Sequence, residues 1–195
     1  MAALRWKEDP RHPLYLLRAV MCRELVPDLQ ATLGLTYLGH SSAQGLNRME
    51  IRPHQEFSMR RKIGPAQVRH RYRLEERFFY PVLGGNIQAL QAFHLRIRYS
   101  LRVVLPLFSL PLQSYSPSLS LRIGDEIMGN LGREVSNNFF DANRLILGPV
   151  VTLSPNLKLT LAWINQFSSQ SVPGQYLRSD MFLVQLDQKL KMSEG

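Results

Sequence analysis

Hydrophobic and polar residues alternate along most of this chain with a period of two. In the segment FHLRIRYSLRVVL, residues 93–105, apolar or aromatic residues occupy every second position, and histidine, serine and arginine occupy most positions between them. Successive side chains of a β-strand point to opposite faces, so this segment predicts a strand with one apolar and one polar face. No segment carries a convincing apolar stripe of 3.6-residue period, and we therefore expect an all-β protein.

The same alternation recurs in about nine segments of roughly ten residues, which is the length a tilted strand needs to cross a bilayer. These segments are residues 14–25, 29–39, 48–60, 67–78, 93–105, 118–128, 140–153, 157–166 and 181–190. Tight turns with proline, glycine, Asn or Asp chemistry are predicted at 26–28, 62–65 and 154–156. Longer polar loops are predicted at 40–47, 80–92, 129–138 and 167–179, while the connection at 106–118 falls where a short turn is due.

Short turns that alternate with long loops are typical of outer-membrane barrels. We therefore predict an antiparallel up-and-down β-barrel of about 9–12 strands. With 195 residues, the chain is expected to form a single barrel domain over 1–195, with strands from about residue 14 and an N-terminal segment at 1–13. The first residues, MAALRWKEDPRH, lack the apolar region of a secretory signal, so no signal is expected in this chain.

The charge balance is strongly basic, with 24 Lys and Arg against 15 Asp and Glu and a formal net charge of +9. The segment RHRYRLEERFF, residues 69–79, concentrates four of the arginines and could indicate a nucleic-acid-binding strip. Such binding requires aromatic side chains on the arginine face for base stacking. Because Tyr72 and Phe78 fall on the opposite face, we expect no nucleic-acid partner.

The arginines instead predict a charged ladder on the polar face of the barrel, facing its lumen. Unpaired charges in a dry interior would each cost several kcal/mol, so we expect a wet interior or Arg/Glu pairs across neighbouring strands. The predicted ladder residues are Arg52, Glu56, Arg71, Arg73, Glu75, Arg77, Arg96, Arg98, Arg102, Glu126 and Arg144.

Catalytic and metal-binding motifs are not recognisable in the sequence. The segment His40–Ser42 lacks the second glycine of a G-x-S-x-G nucleophile elbow, and His54, His70 and His94 lack zinc-protease spacing. The lone Cys22 excludes an internal disulfide. We therefore predict a protein that is not an enzyme and that has no catalytic, cofactor-binding or metal-binding residues.

Several dispersed motifs resemble an uncharacterised bacterial family, the domain of unknown function 2490. They are RHRYRLEERF, LRIRYSLRVVLPL, GDEIMGN and FDANRLILGPVVTLSPNLKLTLAWINQ, in this order. The family's R-x-R-L-E-x-R strand falls on Arg71, Arg73, Leu74, Glu75 and Arg77; its arginine-rich strand on Arg96, Arg98 and Arg102; its acidic strand on Asp125 and Glu126; its F-D-x-N-R-L segment on Phe140, Asp141, Asn143, Arg144 and Leu145; and its N-Q strand end on Asn165 and Gln166.

The resemblance covers most of the chain from about Leu14 and implies a bacterial outer-membrane β-barrel with no established activity. Members of that family begin with a secretion signal and an additional N-terminal strand. This chain matches neither, so we expect its barrel to lack an N-terminal strand.

Three functions remain open from the sequence. The first is a non-enzymatic outer-membrane barrel, with the lipid bilayer as its partner and an arginine-rich interior that could pass anions or small solutes. The second is a soluble β-barrel that binds a lipid or another anionic ligand, and the third is an outer-membrane enzyme that modifies lipid. The sequence does not determine the solute or the oligomeric state.

Overall fold

Every regular element of the described chain is a β-strand. The structure is a computed structural model that describes residues 2–5, 14–42, 45–110, 117–132, 139–170, 172 and 174–188. The strands are β1 (Ala2–Arg5), β2 (Leu14–Val26), β3 (Leu29–Ser42), β4 (Gly45–Ile63), β5 (Ala66–Leu83), β6 (Asn86–Ile87), β7 (Ala92–Ser109), β8 (Ser118–Leu131), β9 (Phe140–Ser154), β10 (Leu157–Ser169) and β11 (Tyr176–Gln188). Within these ranges no helix is long and apolar enough to cross a membrane.

The strands follow one another in the sheet almost in chain order. The path runs β1-β2-β3-β4-β5-β7-β8-β9-β10-β11, and the two-residue β6 pairs with β5. The pairs β1–β2, β2–β3, β3–β4, β9–β10 and β10–β11 are all antiparallel. This is the strand order of an up-and-down barrel, so the predicted all-β antiparallel fold class is confirmed.

The strands are longer than the sequence pattern predicts. Strand β4 has 19 residues and strands β5 and β7 have 18 each, against a prediction of roughly ten. Strand β5 continues to Leu83 and turns at Gly84–Gly85, so the predicted loop at 80–92 begins too early. Both glycines have positive φ, 54° and 81°, a conformation that favours glycine in a tight hairpin turn.

Three predicted tight turns are confirmed. They connect β2 to β3, β4 to β5, and β9 to β10 through two residues each. Asp28 and Gly64 adopt positive φ at the first two turns, 70° and 56°, which is why Asp and Gly occur there.

The N-terminal prediction needs one correction, because β1 lies within the segment that was expected to precede the first strand. Its four residues pair with Leu14–Leu17 at the start of β2. Most of segment 1–13 lies outside the described residues, as do parts of the predicted loops at 40–47, 106–118, 129–138 and 167–179 and the predicted strand end at 189–190.

The chain divides into two compact units. The first comprises Met1–Met59, Arg71–Tyr99 and Met128–Asp141, and the second comprises Arg60–His70, Ser100–Ile127 and Ala142–Gly195. Strands β4, β5, β7, β8 and β9 contribute residues to both units. The single domain inferred from chain length stays a prediction.

Strand register aligns the polar residues of neighbouring strands. Arg18 of β2 pairs with Thr36 of β3, and Thr36 pairs with Arg52 of β4. Directly paired residues of antiparallel strands point to the same side of the sheet. We call the side that carries these residues the polar face and the opposite side the apolar face.

In a soluble antiparallel sheet the apolar face is usually buried and the polar face exposed. Here charged residues of the polar face are buried, and side chains of the apolar face are exposed. On the polar face Glu50 is 0% exposed and Glu75 is 2% exposed. On the apolar face Phe182 is 86% exposed and Val184 is 71% exposed. Charged residues are almost never fully buried in globular proteins unless they are paired, so the polar face must supply partners for its charges.

Candidate functional site

Glu75 is a buried carboxylate of the first compact unit that binds several arginines. Its Oε1 accepts hydrogen bonds from Arg98 Nη1 at 2.7 Å and from Arg73 Nη1 at 3.2 Å. Its Oε2 accepts a hydrogen bond from Arg96 Nε at 2.8 Å and also bonds Arg96 Nη2. Three arginines from β5 and β7 therefore share one buried carboxylate.

Glu50 forms a second node on the adjacent strand β4. Arg52 donates two hydrogen bonds to Glu50, one from Nε to Oε1 and one from Nη2 to Oε2 at 2.7 Å. Arg77 Nε donates to Oε1 at 2.6 Å. His40 Nε2 lies 3.7 Å from Oε2. A fully buried carboxylate with two guanidinium partners has the hydrogen bonds that offset the loss of its hydration.

Glu56 of β4 extends the Glu75 node into a ladder. It accepts hydrogen bonds from Arg73 Nη2 at 2.6 Å and Arg73 Nε at 2.9 Å, and Arg71 Nε lies 3.8 Å away. Because Arg73 also bonds Glu75, one guanidinium joins two carboxylates on different strands. This arrangement follows from strand geometry, since residues 71, 73, 75 and 77 all point to one face of β5.

The ladder extends to a fourth carboxylate, because Arg96 Nη1 donates to Asp141 Oδ2 at 3.1 Å. We call this set the ion-pair cluster of the first unit. Its members are Glu50, Arg52, Glu56, Arg71, Arg73, Glu75, Arg77, Arg96, Arg98 and Asp141. Six arginines meet four carboxylates, so the cluster carries an excess of positive charge.

A smaller polar group lies in the second compact unit. Arg144 Nη1 donates to Glu126 Oε2 at 3.3 Å, and its Nη2 and Nε donate to Gln166 Oε1 at 2.6 and 3.1 Å. Arg144 and Gln166 are direct cross-strand partners in the β9–β10 pair. Strand register therefore accounts for this contact.

The His54 side chain packs against β3 at Gly34. It is buried on the polar face, and its Nε2 has no hydrogen-bond partner in the described part of the chain. A Cβ at Gly34, its direct cross-strand partner, would lie 2.2 Å from the His54 Cε1 atom. The absence of a side chain at position 34 therefore makes room for the imidazole in its observed position.

An aromatic group lies beside the Glu50 node. The guanidinium carbons of Arg77 and Arg48 lie 4.9 and 5.5 Å from the centre of the Phe79 ring. His94 meets the same ring edge-on, with ring centroids 5.4 Å apart. Cation–π contacts of this kind stabilise arginines that lie close together.

The predicted ladder residues can now be located. Ten of the eleven belong to one of the two polar groups, and the eleventh, Arg102, is half-buried in β7 with interactions of its own. The predicted ladder did not include Glu50, Asp141 or Gln166, although Glu50 alternates with Arg52 and could have been found from that pattern. Nothing in the local sequence signals the Asp141 contact, because Arg96 lies 45 positions away.

Arg18 of β2 is another polar-face cation that was not predicted. Its Nε donates to Thr36 Oγ1 at 3.0 Å, and its half-buried side chain lies in the field of the cluster, with Arg73, Arg98 and Glu75 as charged neighbours. The irregular alternation of β2 obscured it. Among the described residues no group of three or more His, Cys, Asp or Glu side chains could hold a metal ion.

The strand order and the cluster define a class of protein: an all-β, antiparallel, up-and-down chain with buried ion pairs and exposed apolar side chains. Within that class the chain belongs to the family described as protein of unknown function (DUF2490), whose family model matches residues 1–176. The match confirms the resemblance seen in the arginine-rich and F-D-x-N-R-L motifs. No curated protein and no solved structure matches the chain.

Proposed function

We propose that this protein is a non-enzymatic integral β-barrel of the bacterial outer membrane, with its apolar face against lipid and its polar face lining the interior. The observation that carries the proposal is the reversed burial of the two faces. Lipid takes the exposed apolar side chains out of water, while the ion-pair cluster satisfies the charges that lipid would exclude. The soluble alternative would leave side chains such as Val184 and Phe182 in water, and monomeric soluble proteins rarely expose large apolar patches.

Polar residues on the apolar face form pairs at a boundary in the second unit. Asn143 Nδ2 donates to Asp125 Oδ1 at 2.7 Å. On the next strand pair, Asn165 Nδ2 and Trp163 Nε1 donate to Asp180 Oδ1 at 2.8 and 3.0 Å. A tryptophan with an apolar ring and a bonded N–H is typical of the membrane–water interface.

The apolar stretch below this boundary has a height that suits a membrane. On β9 the outward side chains between Asn143 and Ser154 are Leu145, Leu147, Pro149, Val151 and Leu153. Asn143 and Ser154 are eleven residue intervals apart. At about 3.3 Å per residue and a tilt of about 40°, this distance corresponds to a rise of roughly 28 Å along the membrane normal. Outer-membrane barrels have an apolar band of about 25 Å, so the agreement supports a spanning position.

In the first unit, an outward carboxylate also has a polar partner. Gln55 Nε2 lies 3.5 Å from Glu76 Oε1 across the β4–β5 pair. This contact gives Glu76 a polar partner. A carboxylate held by a carboxamide tolerates the membrane interface better than an isolated charge does.

An arginine on lipid-facing β11 tests the proposal. Val184 lies four residues below Asp180, near the middle of the expected apolar band, so Val184→Arg should destabilise the membrane-folded protein by about 2–4 kcal/mol. The measurement is equilibrium folding of the full chain into phospholipid vesicles, followed by heat-modifiable gel mobility.

The matched control is Gln185→Arg, one residue along on the polar face, where a charged side chain should have little effect. Equal stability of the two variants would contradict the assignment of faces. A wild-type chain that folds as a monomer without vesicles or detergent would overturn the membrane proposal itself.

The interior is expected to favour anions over cations. This expectation rests on the six arginines and four carboxylates of the ion-pair cluster, whose net positive charge attracts negative solutes.

A further inference from the structure

Arg122 of β8 is a cation that the fold buries. It is 9% exposed on the polar face, and its Nε is enclosed with no hydrogen-bond partner in the part of the chain that the structure describes. Among the described residues Arg122 forms no ion pair, in contrast to the arginines of the ion-pair cluster. An enclosed guanidinium with this environment lacks the groups that normally offset its lost hydration.

The charges of two carboxylates act on Arg122, and both carboxylates accept hydrogen bonds from other side chains. Asp187 and Glu126 are the two acidic groups whose field reaches Arg122. Asp187 accepts hydrogen bonds from Gln185 Nε2 at 2.8 and 2.9 Å, and Glu126 accepts one from Arg144 at 3.3 Å. Their negative charges act on Arg122 from a distance, and neither accepts a hydrogen bond from its Nε.

A second guanidinium increases the positive potential at this point. Arg69 of β5 lies close enough for its charge to act on Arg122. Two neighbouring guanidinium groups repel each other unless negative charge lies between them. A guanidinium offers a planar fork of N–H donors that matches the oxygens of a phosphate or carboxylate group.

We propose that Arg122, supported by the charge of Arg69, forms a binding site for a small dissolved oxyanion on the polar face. The site would explain where the interior binds anions. Its biological role rests on the proposed function, but anion binding itself is measurable without transport. A dissolved anion is favoured over a lipid phosphate because Arg122 points away from the lipid-facing side of β8.

Inorganic phosphate is the probe for this site. The full chain is refolded in a maltoside detergent, and phosphate is titrated at constant ionic strength with chloride as the balancing salt. Arg122→Gln should weaken phosphate binding roughly tenfold to a hundredfold, the effect of losing charge-assisted hydrogen bonds. Heat-modifiable mobility and circular dichroism verify that each variant is folded.

Arg178→Gln is the matched control, because it removes the same charge from an exposed position on β11. It should bind phosphate as the wild type does. Equal loss in both variants would show that phosphate acts only by general screening, and unchanged binding in Arg122→Gln would overturn the site.

Two further variants keep the proposal testable if Arg122→Gln does not fold. Arg122→Lys retains the charge but loses the fork, so its phosphate affinity should fall between those of the wild type and Arg122→Gln. Asp187→Asn removes an exposed competing carboxylate and should tighten phosphate binding; unchanged or weaker binding would contradict the site.

Competition with a short-chain phosphatidic acid distinguishes a dissolved anion from a lipid headgroup as the ligand. This lipid should not displace phosphate from a site on the polar face. Stronger competition by the lipid than by free phosphate would assign the site to a lipid headgroup and overturn the dissolved-anion assignment. Failure of vesicle insertion in the Val184 experiment would leave these binding results unaffected, so the two proposals fail independently.

Discussion

Glu75 shows at the scale of a single residue how the polar face is stabilised. Three guanidinium groups converge on its carboxylate, and one of them, Arg73, also binds Glu56. Removing one negative charge from this arrangement leaves several buried positive charges close together. The energetic importance of such a residue therefore lies in the partners that its loss would leave uncompensated.

Glu75→Gln should destabilise the folded protein by about 3–5 kcal/mol, because it leaves buried arginines without their counter-charge while preserving side-chain shape. Urea unfolding from vesicles or detergent measures the change. Glu24→Gln, at an exposed position of β2, should alter stability by less than about 0.5 kcal/mol. A Glu75→Gln variant as stable as the Glu24 control would contradict a stabilising role for the ladder.

At the scale of strands, the contact between β9 and β10 depends on one glycine. A Cβ at Gly148 would lie 2.0 Å from the backbone oxygen of Leu161 and 2.7 Å from the Cα of Ala162. Backbone atoms cannot move aside as a flexible side chain can. The alternation of residues on β9 correctly predicted the strand, but it contained no sign of this close approach, which depends on how β10 packs beside it.

Gly148→Ala should therefore destabilise the protein by about 1–3 kcal/mol or more, because the strands must separate to admit the methyl group. Amide hydrogen exchange should accelerate along β9 and β10. Gly124→Ala is the control, since its added Cβ would meet its nearest atom at an ordinary 3.5 Å. Equal effects of the two substitutions would indicate that replacing any glycine in these strands is destabilising, and would contradict a local clash at position 148.

At the scale of the whole molecule, membership of an uncharacterised family leaves function to be argued from physical chemistry. The arrangement of buried charges and exposed apolar side chains favours lipid as the surroundings of the apolar face. Under the proposal of membrane insertion, the boundary at Trp163 and Asp180 predicts the depth of the β10–β11 strand pair in the bilayer.

Trp163 should report that depth by fluorescence, in a Trp6→Phe variant that retains it as the only tryptophan. Brominated lipids should quench it more strongly when the bromines lie near the headgroups than near the bilayer centre, since the indole N–H is bonded at the interface. Stronger quenching by bromines near the bilayer centre would place Trp163 deeper than the proposed boundary. Absence of quenching by any brominated lipid would contradict insertion of this strand.

The sequence by itself determined the strands and the face that most charged side chains occupy. Period two is a local consequence of the extended backbone, so Arg71, Arg73 and Glu75 could be assigned to one face without knowledge of any neighbour. Strand ends were less predictable, because pairing with adjacent strands extends β4 through polar positions and carries β5 and β7 past Pro81 and Pro106, which resemble loop residues.

Only the tertiary structure decided which charges meet. Arg73 reaches Glu56 over 17 positions and Arg96 reaches Asp141 over 45, distances in sequence that strand order and register alone bring together. The same long-range pairing leaves Arg122 enclosed without a carboxylate partner among the described residues. Local alternation specifies the direction of a side chain, whereas its partner depends on packing between strands that are distant in sequence.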